Sequence, residues 1–449
     1  MRKKLKIVVI GGGSIYTPEL IEQLLSVEHN LPISELWLVD IDRGAKKLNI
    51  IAELARRMIV RSGKNIVLNI TLDRRMALQE ADFILTQFRA GCLEARIRDE
   101  HIAYRYGMTS QDNNGICKLT NALRAIPVIL DICRDIEELC PDAWLLNYTS
   151  PCGMVTEAVM QYSCVKAIGL CNVPVLMHKG MAEMLLVSPD QLRVQIAGLN
   201  HLIWARHAWL DGQDRLSDLV EQVLSGDNLM MPPNVPSLTW PKSILRPMNM
   251  IPCASLQYYY MTDDIMKQEK EEAMNKGTRG EMAKAMEQHL LDLYCDPKLD
   301  HKPIELENSE GRFYAESACT LMSAIYHDSG ELMHVNTYNN GTINGLPDDC
   351  VVEVTSMITR AGPLPLNNDP LPEDALNLLR QVKTFERLAI AAAIRGDLSL
   401  ARRALMCNPL VTTGKIVEFA IDDILREGLE DLPSYWNSFL IWGEETSQV

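Results

Sequence analysis

Residues 7–20 read IVVIGGGSIYTPEL, and this stretch decides the fold class. Ile7 to Ile10 form a short buried-strand run that stops at Gly11, Gly12, Gly13 and Ser14. Thr17 suits a helix N-cap and Pro18 the first helical position, and Leu20, Ile21, Leu24 and Leu25 then fall on one helical face. A second apolar run, Leu36-Trp37-Leu38-Val39, ends at Asp40. Strand, glycine turn, helix and strand make a dinucleotide-binding unit: the glycines let the backbone approach a pyrophosphate, the helix N-terminus stabilises its charge, and the acid bonds the ribose hydroxyls. Tyr16 stands where the motif GxGxxG has its third glycine, so a plain strand-to-helix turn with a coincidental Asp is the competing reading. An acid at position 40 favours NAD over NADP, because it repels the extra phosphate.

Working outward, strands and helices continue to alternate. A helix is expected near 44–62, a strand at 83–86, a helix near 120–139, a strand from Trp144 to Asn147, a helix after Pro151 and a strand ending at Cys171. This alternation predicts an α/β fold with a Rossmann-type, doubly wound parallel sheet. Ligands bind at the loops following such strands, which places Arg89, Asn147, Cys171 and Asn172 on the expected rim. Past residue 195 the pattern changes to adjacent strands at 193–199 and 202–210, then a helix near 214–225 and a proline-rich segment, 230–252, that reads as a long surface loop. Helical stretches at 264–295, 313–327 and 373–427, with strands near 331–335 and 350–354, complete a second, α+β domain. The division expected is 1–195 for the cofactor and 196–449 for substrate, metal and oligomerisation, with the cleft between them.

The bulk properties exclude several classes. A chain of 449 residues, 47% hydrophobic, can bury a large core. The N-terminal apolar run breaks at three glycines, so neither a signal peptide nor a membrane span fits. Twelve cysteines without any CxxC pair argue for a reducing compartment, with the cytoplasm as the expected location. A formal net charge of -15 argues against a nucleic-acid partner and leaves a small anionic substrate open if arginines gather locally.

Cys171 and His201, the latter in Gly198-Leu199-Asn200-His201, can hold a divalent metal if the fold brings thiolate and imidazole together. The competing reading is a buried cysteine acting as a small hydrophobe. Ligand softness alone points to Zn²⁺ or Fe²⁺.

Taken together, IGGGSIYTPEL, SELWLVDID, FRAGCLEARIRDE, CPDAWLLNYTSPCGMVTEAV, IGLCNVP, GLNHLIW, LQYYY and AIYHDSGE resemble glycoside hydrolase family 4, and in particular its 6-phospho-β-glucosidase branch, over nearly the whole chain. Asn172 after the cysteine is similar to that branch; the α-glucosidase branch typically carries Asp there. NAD-dependent glycosidases depart from the two-carboxylate rule. The resemblance implies a lactate/malate dehydrogenase-like fold, NAD and Mn²⁺ as cofactors, and homodimers or homotetramers. It implies redox-assisted elimination, in which NAD takes a hydride from C3 of the sugar, a base removes the C2 proton, the glycosidic oxygen leaves, water adds and the hydride returns. On this reading Cys171 and His201 are the metal ligands, Gly11, Gly12, Gly13, Ser14, Asp40 and Asn147 bind cofactor, and Arg89, Arg96, Asn147, Asn172 and Arg312 bind the sugar phosphate.

Departures from the family pattern cluster at catalysis. In Pro252-Cys253-Ala254-Ser255-Leu256-Gln257-Tyr258-Tyr259, Ser255 stands where the family carries its base tyrosine. A serine is a poor base for a carbon-bound proton. The family's QETxGxGG loop reads Gln111-Asp112-Asn113-Asn114-Gly115-Ile116-Cys117-Lys118, and its RGGAxYS segment reads Ser309-Glu310-Gly311-Arg312-Phe313-Tyr314-Ala315, without the arginine. Arg312 is then the substitute for phosphate. The catalytic set expected is Ser255, Asn172, Asp112 and Tyr258, with Tyr258, Tyr259, Tyr260 or a metal-bound hydroxide replacing the phenol. The alternative is a homologue that binds NAD, metal and sugar as a sensor or 3-keto-sugar dehydrogenase, and a metal-free 2-hydroxyacid dehydrogenase is a third reading.

Overall fold

The computed structural model describes residues 4–226, 238–309, 311–411 and 414–437. Six parallel strands carry the N-terminal half: β1 (Leu5–Ile10), β2 (Ile33–Val39), β3 (Val67–Thr71), β4 (Phe83–Thr86), β5 (Trp144–Asn147) and β6 (Lys166–Gly169). Their spatial order is β6-β5-β4-β1-β2-β3. The order reverses at β1, so the crevice beyond its C-terminal end, where Gly11 to Ser14 lie, is the switch point at which such sheets bind ligands.

Sequence period explains why these strands are covered on both sides. Val8 and Ile10 point to one face and pack with the helix Gly115–Leu139, whereas Ile7 and Val9 point to the other, towards the helices Thr17–Val27 and Tyr314–His327. Each such side chain, fully buried, stabilises the fold by about 1.5–3 kcal/mol.

Seven further strands are antiparallel: β7 (Leu192–Leu199), β8 (Leu202–Leu210), β9 (Gln213–Asp214), β10 (Ile251–Pro252), β11 (Glu331–Tyr338), β12 (Val351–Thr359) and β13 (Gly362–Pro365). They extend the same sheet past β6. Asn336 of β11 pairs with Gly169, β12 lies on β11, β7 on β12, and β8 on β7.

Several expectations change. Thr17 is not the N-cap: its hydroxyl donates to the Gly12 carbonyl at 2.9 Å, and Tyr16 precedes the helix. The helical stretch at 264–295 is two helices, Thr262–Lys276 and Arg279–Tyr294, parted by Gly277 at φ +84° and restarted by a Thr278–Glu281 capping box. Of the proline-rich segment, 230–237 lies outside the described residues, and the remainder is not a single loop. It contains the helix Lys242–Met248 and β10, whose Pro252 pairs with Trp204 of β8. The helix Cys92–Arg105 escapes periodicity because its buried face is ionic: Arg96 pairs with Glu100, and Asp99 with Arg124.

A chain of buried charges fixes the helix Glu373–Arg395 against the sheet's helical cover. Lys118 Nζ lies 2.6 Å from Glu386, and Lys383 Nζ lies 2.6 Å from Glu386 and 2.7 Å from Glu157. Lys383 also donates to the Val351 carbonyl at 2.8 Å. Removing one member strands the others in a low dielectric. Lys383→Met is therefore expected to cost about 3–5 kcal/mol, measured as a lower denaturant midpoint with unchanged slope.

Candidate active site

The cofactor half is built from backbone. Gly11 has φ +88°, and a Cβ there would sit 2.8 Å from the Phe88 nitrogen, so only glycine fits. The Gly11 and Gly12 amides donate to the Val39 carbonyl, and the Gly13 amide donates to Asp40 Oδ2 at 2.8 Å. Asp40 Oδ1 accepts from Ile41 N at 2.9 Å, so the carboxylate is held at the end of β2. Tyr16, at the third-glycine position, lays its ring on Gly311, where a Cβ would lie 2.5 Å from it. A flat glycine on the opposite wall thus accommodates the departure.

One cavity of about 840 Å³ joins the two halves of the site. Its wall runs from Gly11, Gly13, Ser14 and Asp40 through Arg89 and Arg96 to Asp112, Asn172, His201 and Tyr314. Asn147 does not line it. Its side chain is fully buried and accepts from Thr86 Oγ1 and Thr149 N while donating to the Cys152 carbonyl and Thr156 Oγ1, so it braces the loop after β5.

Cys171 follows β6 at the start of the helix Asn172–Met184, and His201, at φ +61°, makes the turn between β7 and β8. Cys171 Sγ and His201 Nε2 are 3.5 Å apart. Two ligands of one ion at about 2.3 Å and 2.1 Å, at a near-tetrahedral angle, are separated by about 3.6 Å, so the donor set fits a divalent cation. Burial pushes the His201 imidazole down to about 4, which leaves it neutral at neutral pH, as a ligand must be. Burial pushes the Cys171 thiol well above its ordinary value, and the nearby Glu353 carboxyl adds to this; the Val173 amide and Asn200 side chain act the other way. No third His, Cys, Asp or Glu joins the pair among the described residues.

Behind the pair lies Glu353, which the sequence reading missed. One of its oxygens accepts from Asn336 Nδ2 at 2.7 Å and Asn200 Nδ2 at 3.2 Å, and the backbone of His201 also bonds this carboxyl. Burial raises it to about 7 against these donors. The available signal was a lone acid inside the apolar strand Val351-Val352-Glu353-Val354.

The other expected residues divide. Arg89 makes a two-pronged contact with Asp112, at 2.9 and 2.6 Å. Burial raises the Asp112 carboxyl, but Arg89 and then Arg96 outweigh it and hold it well below the ordinary range. Arg96 donates to Glu100 at 2.9 Å on the cavity wall. Asn172 donates to the Arg312 carbonyl at 3.2 Å, while the Arg312 guanidinium stacks on Phe313 at 4.6 Å and is not part of the cavity wall. Glu310 lies outside the described residues. Tyr258 is wholly buried and donates to Glu269 at 2.7 Å, Tyr259 donates to Asn114 at 3.3 Å, and Tyr260 packs on Trp240. None of the three lines the cavity. Ser255, also wholly buried, is off the wall and sits 3.1 Å from His201 Nδ1.

The Family 4 glycosyl hydrolase model matches residues 6–187, and the model of that family's C-terminal domain matches 196–411. The chain belongs to the family 4 glycosyl hydrolases. It is 44% identical over 438 residues to a probable 6-phospho-beta-glucosidase of Bacillus subtilis (strain 168), covering 97% of this chain and 99% of the relative. A 6-phospho-beta glucosidase from Thermotoga maritima, solved with manganese, NAD+ and glucose-6-phosphate, superposes with a TM-score of 0.86 at 29% identity, covering 95% of this chain and 99% of that one. A lactate dehydrogenase from Eimeria maxima, at 13% identity and a TM-score of 0.55, covers 89% of this chain and 98% of its own, and shares the fold alone.

Burial raises the Cys171 thiol, so a cation held by its thiolate would displace the thiol proton on binding. Calorimetric titration of Mn²⁺ in buffers of different ionisation enthalpy is expected to show proton release near neutral pH, and affinity should rise with pH up to the thiol's own value. Binding without proton release would remove Cys171 from the ligand set.

Proposed function

We propose that this family 4 glycosyl hydrolase cleaves 6-phospho-β-glucosides by oxidation at C3, removal of the C2 proton and elimination of the glycosidic oxygen. The observation that carries this is the single cavity joining the Asp40 crevice to Asn172 and His201, which brings a cofactor end and a sugar end into one space. Bound there, NAD supplies the hydride acceptor, and a divalent cation held by Cys171 and His201 supplies Lewis-acid stabilisation of charge on the sugar oxygen. The relatives named above carry the names probable 6-phospho-beta-glucosidase and 6-phospho-beta glucosidase, and this reading carries that substrate over to this chain.

The chain's own residues do the rest. The glycine turn and Asp40 seat the dinucleotide, and Asp40 excludes a 2′-phosphate. Arg89, oriented by Asp112, and Arg96 line the wall as the cationic side for the sugar phosphate, since a planar guanidinium matches phosphate oxygens. Asn172, at the first position of its helix, orients a sugar hydroxyl beside His201. With Ser255 and the three tyrosines off the cavity, proton transfer at C2 falls to Asp112, whose carboxylate is kept ionised by Arg89. That pairing also makes it a weak base, so proton removal should limit the rate. Residues 1–195 then serve the cofactor and 196–449 supply His201 and the surfaces for a homodimer or homotetramer, in the cytoplasm. No helix among the described residues is long and apolar enough to cross a membrane.

A sugar-binding homologue that stops short of hydrolysis is not favoured, because the relatives over nearly the full length are named glucosidases. The test is a panel of chromogenic glucosides and galactosides of both anomers, with and without a 6-phosphate, assayed with NAD⁺ and Mn²⁺. Release is expected from the 6-phospho-β-glucoside, with a larger primary isotope effect for deuterium at C2 than at C3. Asp112→Asn should lower kcat about 10²–10⁴-fold with NAD⁺ affinity retained. Absence of aglycone release across the panel would overturn the assignment.

A further inference from the structure

Ser255 occupies the family's base position, yet nothing in its surroundings suits a base. It is 0% exposed, lies off the cavity wall, and its Oγ faces a nitrogen, His201 Nδ1, at 3.1 Å. That contact closes a short chain, Ser255 Oγ to His201 Nδ1 and His201 Nε2 to Cys171 Sγ at 3.5 Å. The short helical turn Ala254–Leu256 that carries the serine is fixed independently: the Cys253 amide donates to the Ile203 carbonyl at 3.0 Å, and Pro252 pairs with Trp204. The hydroxyl is therefore anchored to β8, two residues from the turn that carries His201.

A neutral imidazole offers a metal a lone pair on one nitrogen only when the other nitrogen carries the proton. Which nitrogen does so is set by the hydrogen bond the other makes. A hydroxyl both donates and accepts. It can donate to Nδ1 while Nε2–H faces the thiol, and it can accept from Nδ1–H once Nε2 is a ligand. We infer that Ser255 is a positioning residue that holds the His201 ring with Nε2 towards Cys171 and accepts the Nδ1 proton in the tautomer that binds a divalent cation. This rests on the reading of Cys171 and His201 as the metal pair. In this chain the position that supplies a base elsewhere in the family has become a support for the metal ligand.

Cobalt(II) tests the assignment, since its thiolate absorption reports a cation on Cys171. The wild-type full-length chain is expected to bind Co²⁺ with that band. Ser255→Ala should bind about 10–100-fold more weakly, a typical loss for an outer-shell partner, and Ser255→Thr, which keeps the hydroxyl, should stay close to wild type. NAD⁺ affinity should be the same in all three, which separates a lost ligand support from a damaged fold. Equal Co²⁺ affinity in wild type and Ser255→Ala overturns the inference while leaving the metal pair standing; no cobalt–thiolate band in wild type overturns the metal reading itself. If Ser255→Ala does not fold, ¹⁵N-histidine spectra of the Cd²⁺-loaded wild type decide: a His201 Nδ1–H proton shifted downfield as a hydrogen-bonded one supports the assignment, and an Nδ1–H at the position of a free imidazole proton overturns it.

Discussion

The site depends on one buried carboxyl. Glu353 sits on β12, next to β11, the strand through which the antiparallel strands join the parallel sheet, and its bonds to Asn336 on β11 and to Asn200 and the His201 backbone in the β7–β8 turn reach two segments at once. Asn336 is the residue that pairs with Gly169 at the end of β6, two residues before Cys171. Cys171 and His201, the pair proposed to hold a cation, come from opposite sides of this junction, so the carboxyl that ties the strands together also sets the distance between them. Leaving any of these buried amides without a partner would cost about 1–3 kcal/mol, which gives the junction little freedom to drift.

Close packing at the junction repeats the same constraint. A Cβ on Gly169 would meet Thr156 Oγ1 at 2.3 Å and Asn336 Cβ at 2.8 Å, and one on Gly153 would meet Asn200 Cβ at 3.0 Å. Glycine at these places lets polar side chains converge on Glu353 without opening voids. Further in, the substituted loop 111–118 is tied down by charge. Asp112 is gripped by Arg89, and Lys118, at a position where the family pattern has glycine, enters the buried ion chain through Glu386. The loop thus exchanges close backbone approach for ion pairs, and its departures from the family form a coherent set with the serine behind His201.

Much of this was legible beforehand. Every parallel strand except β3 was readable, because apolar runs ending in glycine, asparagine or cysteine signal buried strands and their ligand-facing ends. β3 escaped because it is the sheet's edge: Val67 is exposed, the rest only half-buried, and no clear period results. The helix Cys92–Arg105 escaped because it buries charges in pairs, and pairing between distant residues leaves no periodic trace. Among the site residues, Gly11, Gly13, Ser14, Asp40, Arg89, Arg96, Asp112, Asn172 and His201 line the cavity, whereas Gly12, Asn147, Cys171, Ser255, Tyr258 and Arg312 do not.

The sequence by itself determined the doubly wound sheet, the acid at the end of β2 and the presence of Cys171 and His201, because each follows from local period, turn chemistry or the position of a residue after a strand. Only the tertiary structure decided which way side chains face. That the Asn147 side chain bonds its own loop, that Tyr258 meets Glu269 and that Ser255 faces the His201 imidazole all depend on contacts between segments far apart in the chain. Such contacts are set by packing around the β6–β11 junction, and no local pattern of residues encodes them.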